Sequence, residues 1–226
     1  VSTVHANFIG MIARRMAEQG SKGVASIADD RIMSLGSGAY DLGSGHILAW
    51  SDVAQPEVRP LARQRARLAA EFGAGKAAWM IDRIRNMLVF PNVFLMDQTS
   101  SQIRVFRPIS VDETEVTIYG IAPKGESAKD RSHRIRQWED FFNASGMATP
   151  DDIMEFTQSQ IAFKAKAARW NDVSRGLKHV HFNEANADAA ELGIEVQSFG
   201  TKLEDEGIMA AQHRWWLKVL TNGPKA

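Results

Sequence analysis

Cysteine is absent from this 226-residue chain. Its own residues can therefore form neither disulfide bonds nor thiolate-ligated zinc or iron–sulfur sites. Net charge is absent too, because 27 Lys and Arg residues balance 27 Asp and Glu residues. No basic run is interleaved with aromatic residues, so neither nucleic acid nor an anionic membrane is expected as a main partner.

Long apolar runs are also missing. No stretch approaches the roughly 18 apolar residues that a membrane-spanning helix needs, and the chain has no signal-peptide pattern. These absences favour a cytoplasmic protein. The chain begins at Val1 in the middle of a periodic pattern, so we expect that an N-terminal part is missing.

The composition that remains is globular, with 44% hydrophobic and 24% charged residues. Apolar periodicity predicts helices over residues 1–19, 61–72, 77–84, 127–144, 149 to about 170, and 204–220. Short strands are predicted between residues 31 and 51, followed by strands over 87–90, 93–97, 102–109 and 114–122. The short connections between these last four predict an antiparallel meander, whereas residues 171–203 are predicted to be irregular. The predicted fold class is α+β, with one antiparallel sheet covered by long helices.

Two adjacent carboxylates, Asp151 and Asp152, follow a helix-start signal in which Thr149 is the predicted N-cap and Pro150 the first helical residue. Acids in the first turn of a helix commonly stabilise the helix by about 1 kcal/mol or less, because they interact favourably with the positive end of its dipole. A carboxylate can equally serve as a metal ligand. From the spacing alone, the stabilising role is the simpler interpretation.

Other candidates have ordinary interpretations as well. His5 lies near the edge of an apolar helical stripe, where histidines are mostly structural. His179 and His181 could bind a metal from one face of a strand, although a solvated loop pair is the simpler interpretation.

Arg104 and Arg107 are three positions apart and so face opposite sides of a strand. One of them could bind a substrate anion, with surface ion pairs as the alternative.

The segments NVFLMDQTSSQIRVFRPISVDETEVTIYGIAPKGES (92–127) and RIRQWEDFFNASGMATPDDIMEF (134–156) resemble the catalytic domain of ring-hydroxylating Rieske oxygenase large (alpha) subunits. Within that family they are most similar to the branch that acts on benzoate, toluate, halobenzoate and anthranilate. EDEG at 204–207 and QHRWW at 212–216 fit the same branch. The resemblance covers nearly the whole chain. It implies that residues 1–226 are an N-terminally truncated catalytic domain of helix-grip (START/TBP-like) architecture.

The family holds a mononuclear Fe(II) with two histidines and one carboxylate, the histidines in the motif Asp-x-x-His-x-x-x-x-His. The opening Val-Ser-Thr-Val-His matches the end of that motif, so the resemblance assigns one ligand to His5 and the carboxylate to Asp152. Asp151 is then a neighbour of the iron site. The first histidine, the aspartate and the Rieske domain with its [2Fe-2S] cluster would precede Val1. The chain alone is therefore expected to bind iron poorly and to be inactive.

The resemblance also implies an activity and its partners. Both atoms of O₂ would enter an aromatic carboxylate at the 1,2 positions, with electrons from NADH delivered through a separate reductase. Expected partners are a small beta subunit and neighbouring alpha subunits, in a hetero-hexamer or a homotrimer. The implied substrate-cavity residues are Phe90, Asn92, Phe142 and Ala148. Arg104 is a candidate for the substrate carboxylate, because burying that group without a partner is costly.

Two alternatives remain open at the level of sequence. One is a non-enzymatic helix-grip domain that binds an apolar ligand without metal. The other is a Rieske-type monooxygenase or demethylase, although FFNASGMATPDD matches the dioxygenase branch. The sequence does not determine which aromatic acid is the substrate.

Overall fold

The computed structural model describes residues 35–53, 55–98, 100–165, 167, 169–203 and 205–223. Eight strands form a single antiparallel sheet, in the order β6-β5-β4-β3-β2-β1-β8-β7. The strands are β1 (Ser37–Asp41), β2 (Ile47–Asp52), β3 (Arg83–Val89), β4 (Val93–Asp97), β5 (Ser101–Pro108), β6 (Thr114–Ile121), β7 (Val180–Phe182) and β8 (Ser198–Gly200). Every pair is antiparallel. The predicted α+β class is confirmed.

Six α-helices lie among the described residues: α1 (Arg65–Phe72), α2 (Ala74–Asp82), α3 (Ala128–Phe141), α4 (Thr149–Phe163), α5 (Ala187–Leu192) and α6 (Gly207–Asn222). Short 3₁₀ turns occupy Pro56–Val58, Pro60–Gln64 and Leu177–His179. None of the helices in the described part of the chain is long and apolar enough to cross a membrane.

The chain divides into two compact units. One contains Ala122–Asn171 and therefore holds α3 and α4. The other contains Gly36–Ile121 together with the chain from Asp172 onward, and it holds the whole sheet with α1, α2, α5 and α6. The sheet unit is therefore built from two separate stretches of sequence.

One face of the sheet packs against α2 and α5. The Arg83 guanidinium lies over the Trp50 ring at 4.3 Å and over the Trp79 ring at 4.1 Å. The two indoles meet edge to face at 5.4 Å. Arg83 also pairs with Asp52 at 3.1 Å and with Asp188 of α5 at 2.9 Å. Stacking and ion pairing thus fix α2 and α5 on this face.

The predicted meander is present, because β3, β4, β5 and β6 are consecutive neighbours in the sheet. Its first strand starts at Arg83, four residues before the predicted start at Met87, and the preceding helix ends at Asp82. The strand begins earlier because β3 pairs with the whole length of β2, from Asp52↔Arg83 to Ile47↔Leu88. Arg83 and Arg85 belong to the strand although their charge gave no strand signal.

Residues 171–203 were predicted to be irregular, and this is wrong in part. They contain β7, α5 and β8. Each of these elements is at most six residues long, which is too short to show a period. β8 exists as a strand because it pairs on one side with β1 and on the other with β7.

Helix boundaries also differ from the prediction. α4 ends at Phe163, before the predicted end near Trp170. α2 begins at Ala74, so Gly75 lies inside the helix and Gly73 alone separates it from α1. Gly73 has φ +88°, a left-handed conformation that glycine adopts without strain. The predicted helix over residues 1–19 and the predicted strand positions 32 and 34 lie outside the described residues.

Candidate active site

Asp151 and Asp152 lie in the first turn of α4, where Pro150 also lies. Both side chains are half-buried. The Asp152 N–H donates to the Ala148 carbonyl at 3.1 Å, which closes the first turn. The position of Asp152 is therefore fixed by the loop that precedes the helix.

That loop returns tightly from the end of α3. The Met147 N–H donates to the Asp140 carbonyl at 2.9 Å, and the Ala148 N–H donates to the Phe141 carbonyl at 3.1 Å. A Cβ on Gly146 would come within 2.6 Å of the Phe141 carbonyl oxygen, so the close approach requires glycine. The sequence NASGM thus forms a loop with little freedom directly before the acid pair.

Thr149 does not act as the N-cap, contrary to the prediction. The N-cap position is Ala148, and no side chain caps the helix. The buried Thr149 hydroxyl instead donates to the Phe142 carbonyl at 2.8 Å. The hydroxyl is used to tie α4 to the end of α3, because the loop between them folds back on itself.

Two of the predicted cavity residues lie in this same unit. Phe142 is 3% exposed and Ala148 is 1% exposed. Phe142 meets Phe141 edge to face with ring centroids 4.5 Å apart. Phe142 and Ala148 therefore belong to the packed interior at the two ends of the loop.

Phe90 and Asn92 flank Pro91 in the turn between β3 and β4, in the sheet unit. The Phe90 N–H donates to His46 Nδ1 at 3.0 Å. The Asn92 side chain donates from Nδ2 to the Phe106 carbonyl at 3.0 Å. The Asn92 amide thus binds the neighbouring strand β5, a role that the sequence pattern did not indicate.

Arg104 and Arg107 have different surroundings, as alternation along β5 predicts. Arg107 pairs with Glu115 of β6 at 2.9 Å on the surface, which is the ordinary alternative named for it. The Glu115 carboxylate holds the Arg107 pKa above its usual value. The half-buried Arg104 donates from Nε to Gln102 Oε1 at 3.0 Å. Sequence reasoning did not single out Gln102, whose side chain gives no motif signal.

His179 and His181 do not form a metal-binding pair on one strand. β7 begins at Val180, so His179 precedes the strand in a 3₁₀ turn. His179 Nδ1 lies 3.0 Å from Asp205, and His181 Nδ1 lies 3.0 Å from Glu184. Each imidazole therefore has its own carboxylate partner.

His5, the predicted imidazole ligand of the iron, lies outside the described residues. Within those residues, no group of three or more His, Asp or Glu side chains could hold a metal ion. The donor types of the predicted set, imidazole and carboxylate, are those of facial non-haem Fe(II) sites. Asp152 supplies a carboxylate of this kind at a backbone position that the preceding loop fixes.

The fold has close counterparts among solved structures. A naphthalene 1,2-dioxygenase with indole bound in its active site matches with a TM-score of 0.69 at 17% identity, over 95% of this chain and 48% of that one. A naphthalene 1,2-dioxygenase from Rhodococcus sp. bound to indole matches with a TM-score of 0.70 at 15% identity, over 99% of this chain and 52% of that one. At this level of identity, the likeness establishes the fold.

Sequence similarity is higher for three curated proteins. A 2-halobenzoate 1,2-dioxygenase large subunit from Burkholderia cepacia is 41% identical over 100% of this chain and 48% of that protein. A toluate 1,2-dioxygenase subunit alpha from Pseudomonas putida is 42% identical over 100% and 49%. An anthranilate 1,2-dioxygenase large subunit from Acinetobacter baylyi (strain ATCC 33305 / BD413 / ADP1) is 37% identical over 99% and 49%. The chain is related to the large subunits of aromatic-ring 1,2-dioxygenases.

The chain spans about half the length of these curated dioxygenase large subunits. No family model matches it. The predicted resemblance to ring-hydroxylating dioxygenase large subunits is confirmed. It is confirmed also for the branch of that family whose members are named for aromatic acids. With no cysteine in the chain, the Cys ligands of a Rieske cluster are not among its residues.

Proposed function

We propose that this chain forms the greater part of the catalytic domain of a dioxygenase large subunit that inserts both atoms of O₂ into an aromatic carboxylate at the 1,2 positions. The observation that carries the proposal is the 37–42% identity, along essentially the whole chain, to three 1,2-dioxygenase large subunits. Their printed substrates, 2-halobenzoate, toluate and anthranilate, are all aromatic carboxylates. The substrate class follows from what these three names share.

The proposal includes the components that such an oxygenase needs. Electrons would come from NADH through a separate reductase and a [2Fe-2S] Rieske cluster outside residues 1–226. A small beta subunit and neighbouring large subunits would complete the assembly. We also propose a cytoplasmic location, where the reductase would have access to NADH.

His5 and Asp152 are the proposed iron ligands in this chain, with a further histidine outside it. When bound, Fe(II) supplies adjacent open coordination positions for O₂ activation. The contribution of this chain is to hold the Asp152 carboxylate in place. Support for that role comes from the 142–148 loop, which fixes the start of α4 through backbone hydrogen bonds and a close approach at Gly146.

The activity is tested in the assembled oxygenase that carries this chain, supplied with its reductase, NADH, benzoate and isotopically labelled O₂. We expect a cis-diol in which both new oxygen atoms carry the label. A product with a single labelled atom would indicate a monooxygenase. Benzoate binding without NADH oxidation would instead favour the non-enzymatic helix-grip domain.

The choice between the two acids is tested by iron retention. Asp152→Ala should abolish iron binding, because it removes a ligand oxygen, whereas Asp151→Ala should leave most of the iron in place. Metal analysis of the purified large subunit measures both, independently of turnover. Asp151→Ala is the matched control, since both acids lie in the same helical turn. The reverse pattern would transfer the ligand role to Asp151.

Ala148 is proposed as a position where a small side chain leaves room for a ring substituent. Its 1% exposure supports a location in the interior. Ala148→Val should lower kcat/KM for 2-halobenzoate more than for benzoate, because the added methyl groups take space that the halogen needs. The exposed Ala144 of the same loop provides the control variant, Ala144→Val. Equal losses for both substrates would remove Ala148 from the list of cavity residues.

A further inference from the structure

Gln102 in β5 is the most deeply buried amide of the sheet, with 0% of its surface exposed. Its Oε1 accepts a hydrogen bond from Arg104 Nε at 3.0 Å. A guanidinium Nε–H can only donate, so this bond fixes which end of the amide is oxygen. The opposite end is then the Nε2 group, which carries two N–H donors.

Gln102 Nε2 is buried and has no hydrogen-bond partner within the described part of the chain. Buried polar groups in native proteins are nearly always paired, and those that are not require an explanation. Amide N–H groups that are buried and oriented by a neighbour form a donor site for an acceptor on a ligand. The chemistry of this donor selects an oxygen anion or a carbonyl.

Gln102 lies in a row of residues that face the same side of the sheet. Strand register places it between Gly120 and Met96, and the row continues through Asn86, Ala49, Ala39, Gly200 and Val180. Apart from Val180 at its far end, this row contains no β-branched or aromatic residue, the types that usually fill a sheet face.

The adjacent row on the same face is more apolar. It passes through Arg104 and contains Ile118, Phe94, Leu88 and Ile47. The Gln102 donor therefore lies beside a row of apolar side chains. Asn86 is a second amide in the Gln102 row, and its buried Oδ1 has no partner among the described residues. An aromatic ring with one polar substituent fits this combination of apolar row and buried amide donor.

We propose that Gln102 Nε2 binds the carboxylate of the aromatic acid, and that Arg104 is a positioning residue that orients the Gln102 amide. The inference rests on the proposed function for its ligand class. It transfers the direct carboxylate contact from Arg104 to Gln102. Arg104 adds a positive charge beside the amide, which favours an anionic ligand over a neutral one.

The test is carried out on the assembled oxygenase with two probes, benzoate and toluene, which share a ring and differ in the carboxylate. Dissociation constants are measured by titration calorimetry. Gln102→Leu removes the donor, so benzoate affinity should fall about tenfold, the value of a hydrogen bond to a charged group. Toluene affinity should be unchanged. Equal effects on the two probes would show a structural role and overturn the inference.

Gln102→Glu is the second variant, because it keeps the shape and the oxygen that faces Arg104 while it replaces the donor by an acceptor. Benzoate affinity should fall further than in Gln102→Leu, since a carboxylate would then face a carboxylate. Unchanged benzoate affinity in Gln102→Glu would overturn the inference even if Gln102→Leu fails to fold. Ile103→Leu is the matched control on the same strand and the opposite face, and it should leave both affinities unchanged.

These outcomes separate the inference from the proposed function. If the unmodified oxygenase forms the diol but benzoate affinity is independent of Gln102, the inference is wrong and the proposed function stands. If benzoate binding depends on Gln102 but no diol forms, the carboxylate site is supported and the proposed activity is wrong. An unmodified oxygenase that does not bind benzoate would overturn the inference.

Discussion

The surroundings of the buried Tyr40 change the pKa of its hydroxyl group. It is 1% exposed, and its hydroxyl donates to Asn186 Oδ1 at 3.1 Å. Burial, with a smaller contribution from the Asp188 charge, raises the Tyr40 pKa to about 12 from its ordinary 10.0. The neutral phenol is thus favoured in the folded protein, since a phenolate there would lack solvation.

This pKa shift predicts a loss of stability at alkaline pH. Between pH 10 and pH 12, the unfolded chain releases the Tyr40 proton while the folded protein keeps it. The stabilisation is therefore fully present below pH 10 and disappears as the pH rises to about 12.

The measurement is the urea unfolding free energy over that pH range, compared between the parent protein and Tyr40→Phe. Both carry Tyr119→Phe, which leaves Tyr40 as the only tyrosine of the parent, because the chain has two. The parent should lose stability more steeply than Tyr40→Phe. Parallel curves would contradict the assigned shift.

The candidate site could be predicted from sequence only in part, and the reason is visible at single residues. Asp152 could be proposed from the sequence because an unusual local run, FFNASGMATPDD, surrounds it. Gln102 could not be proposed in this way, because the inference about it rests on the Arg104 bond and on burial, which no local pattern records. Thr149 was assigned the wrong partner because its hydroxyl bonds the Phe142 carbonyl seven residues earlier.

At the scale of elements, α3 is tied to the chain before it by an ion pair. Arg134 donates from its η2 nitrogen to Glu126 Oε1 at 2.7 Å and from Nε at 3.0 Å. The two side chains are 11% and 3% exposed, so this pair is largely removed from water. Breaking a buried pair leaves the remaining charge without compensation.

Glu126→Gln should therefore destabilise the protein by about 3–5 kcal/mol, the usual cost of removing one partner of a buried ion pair. Chemical denaturation measures the change. Glu115→Gln is the matched control, because it removes the carboxylate of an exposed pair with Arg107 and should change stability little. A similar small effect for both substitutions would show that the Glu126 pair is not buried in solution.

Some secondary-structure elements could be predicted from local sequence patterns, whereas others form only because distant segments pair with them. The last three meander strands and α3 carry their own alternation or helical period, and they were predicted close to their observed positions. β7 and β8 have three residues each. They are strands because other strands lie beside them, and no local signal could have revealed them.

At the scale of the whole molecule, the sheet depends on pairing between distant parts of the chain. β8 lies between β1 and β7, with Tyr40↔Phe199 and His181↔Phe199 as partners. The pairing of β1 with β8 therefore joins two segments that are far apart in the sequence, near Tyr40 and near Phe199. β7 and β8 complete this side of the sheet, and both follow α3 and α4 in the sequence.

Phe199→Pro tests how much the pairing of β8 with its two neighbouring strands contributes to stability. Because β8 has a strand on each side, the Phe199 N–H is a ladder donor, and proline would remove it and disrupt the strand. We expect a loss of about 3 kcal/mol beyond that of Phe199→Ala, on the scale of proline penalties in regular structure. Phe199→Ala is the control, since it removes the ring and keeps the backbone donor. Equal losses would mean that the β8 backbone contributes little to the sheet.

The sequence by itself determined the α+β class, the meander, the two helices around the Asp151–Asp152 pair and the resemblance to aromatic-acid dioxygenases. These depend on local period and local motif, which neighbouring residues carry within one stretch. Only the tertiary structure decided the sheet order, the burial of Tyr40 and the Gln102–Arg104 bond. The physical reason is that strand register and desolvation depend on residues far apart in the chain, and no local pattern records them.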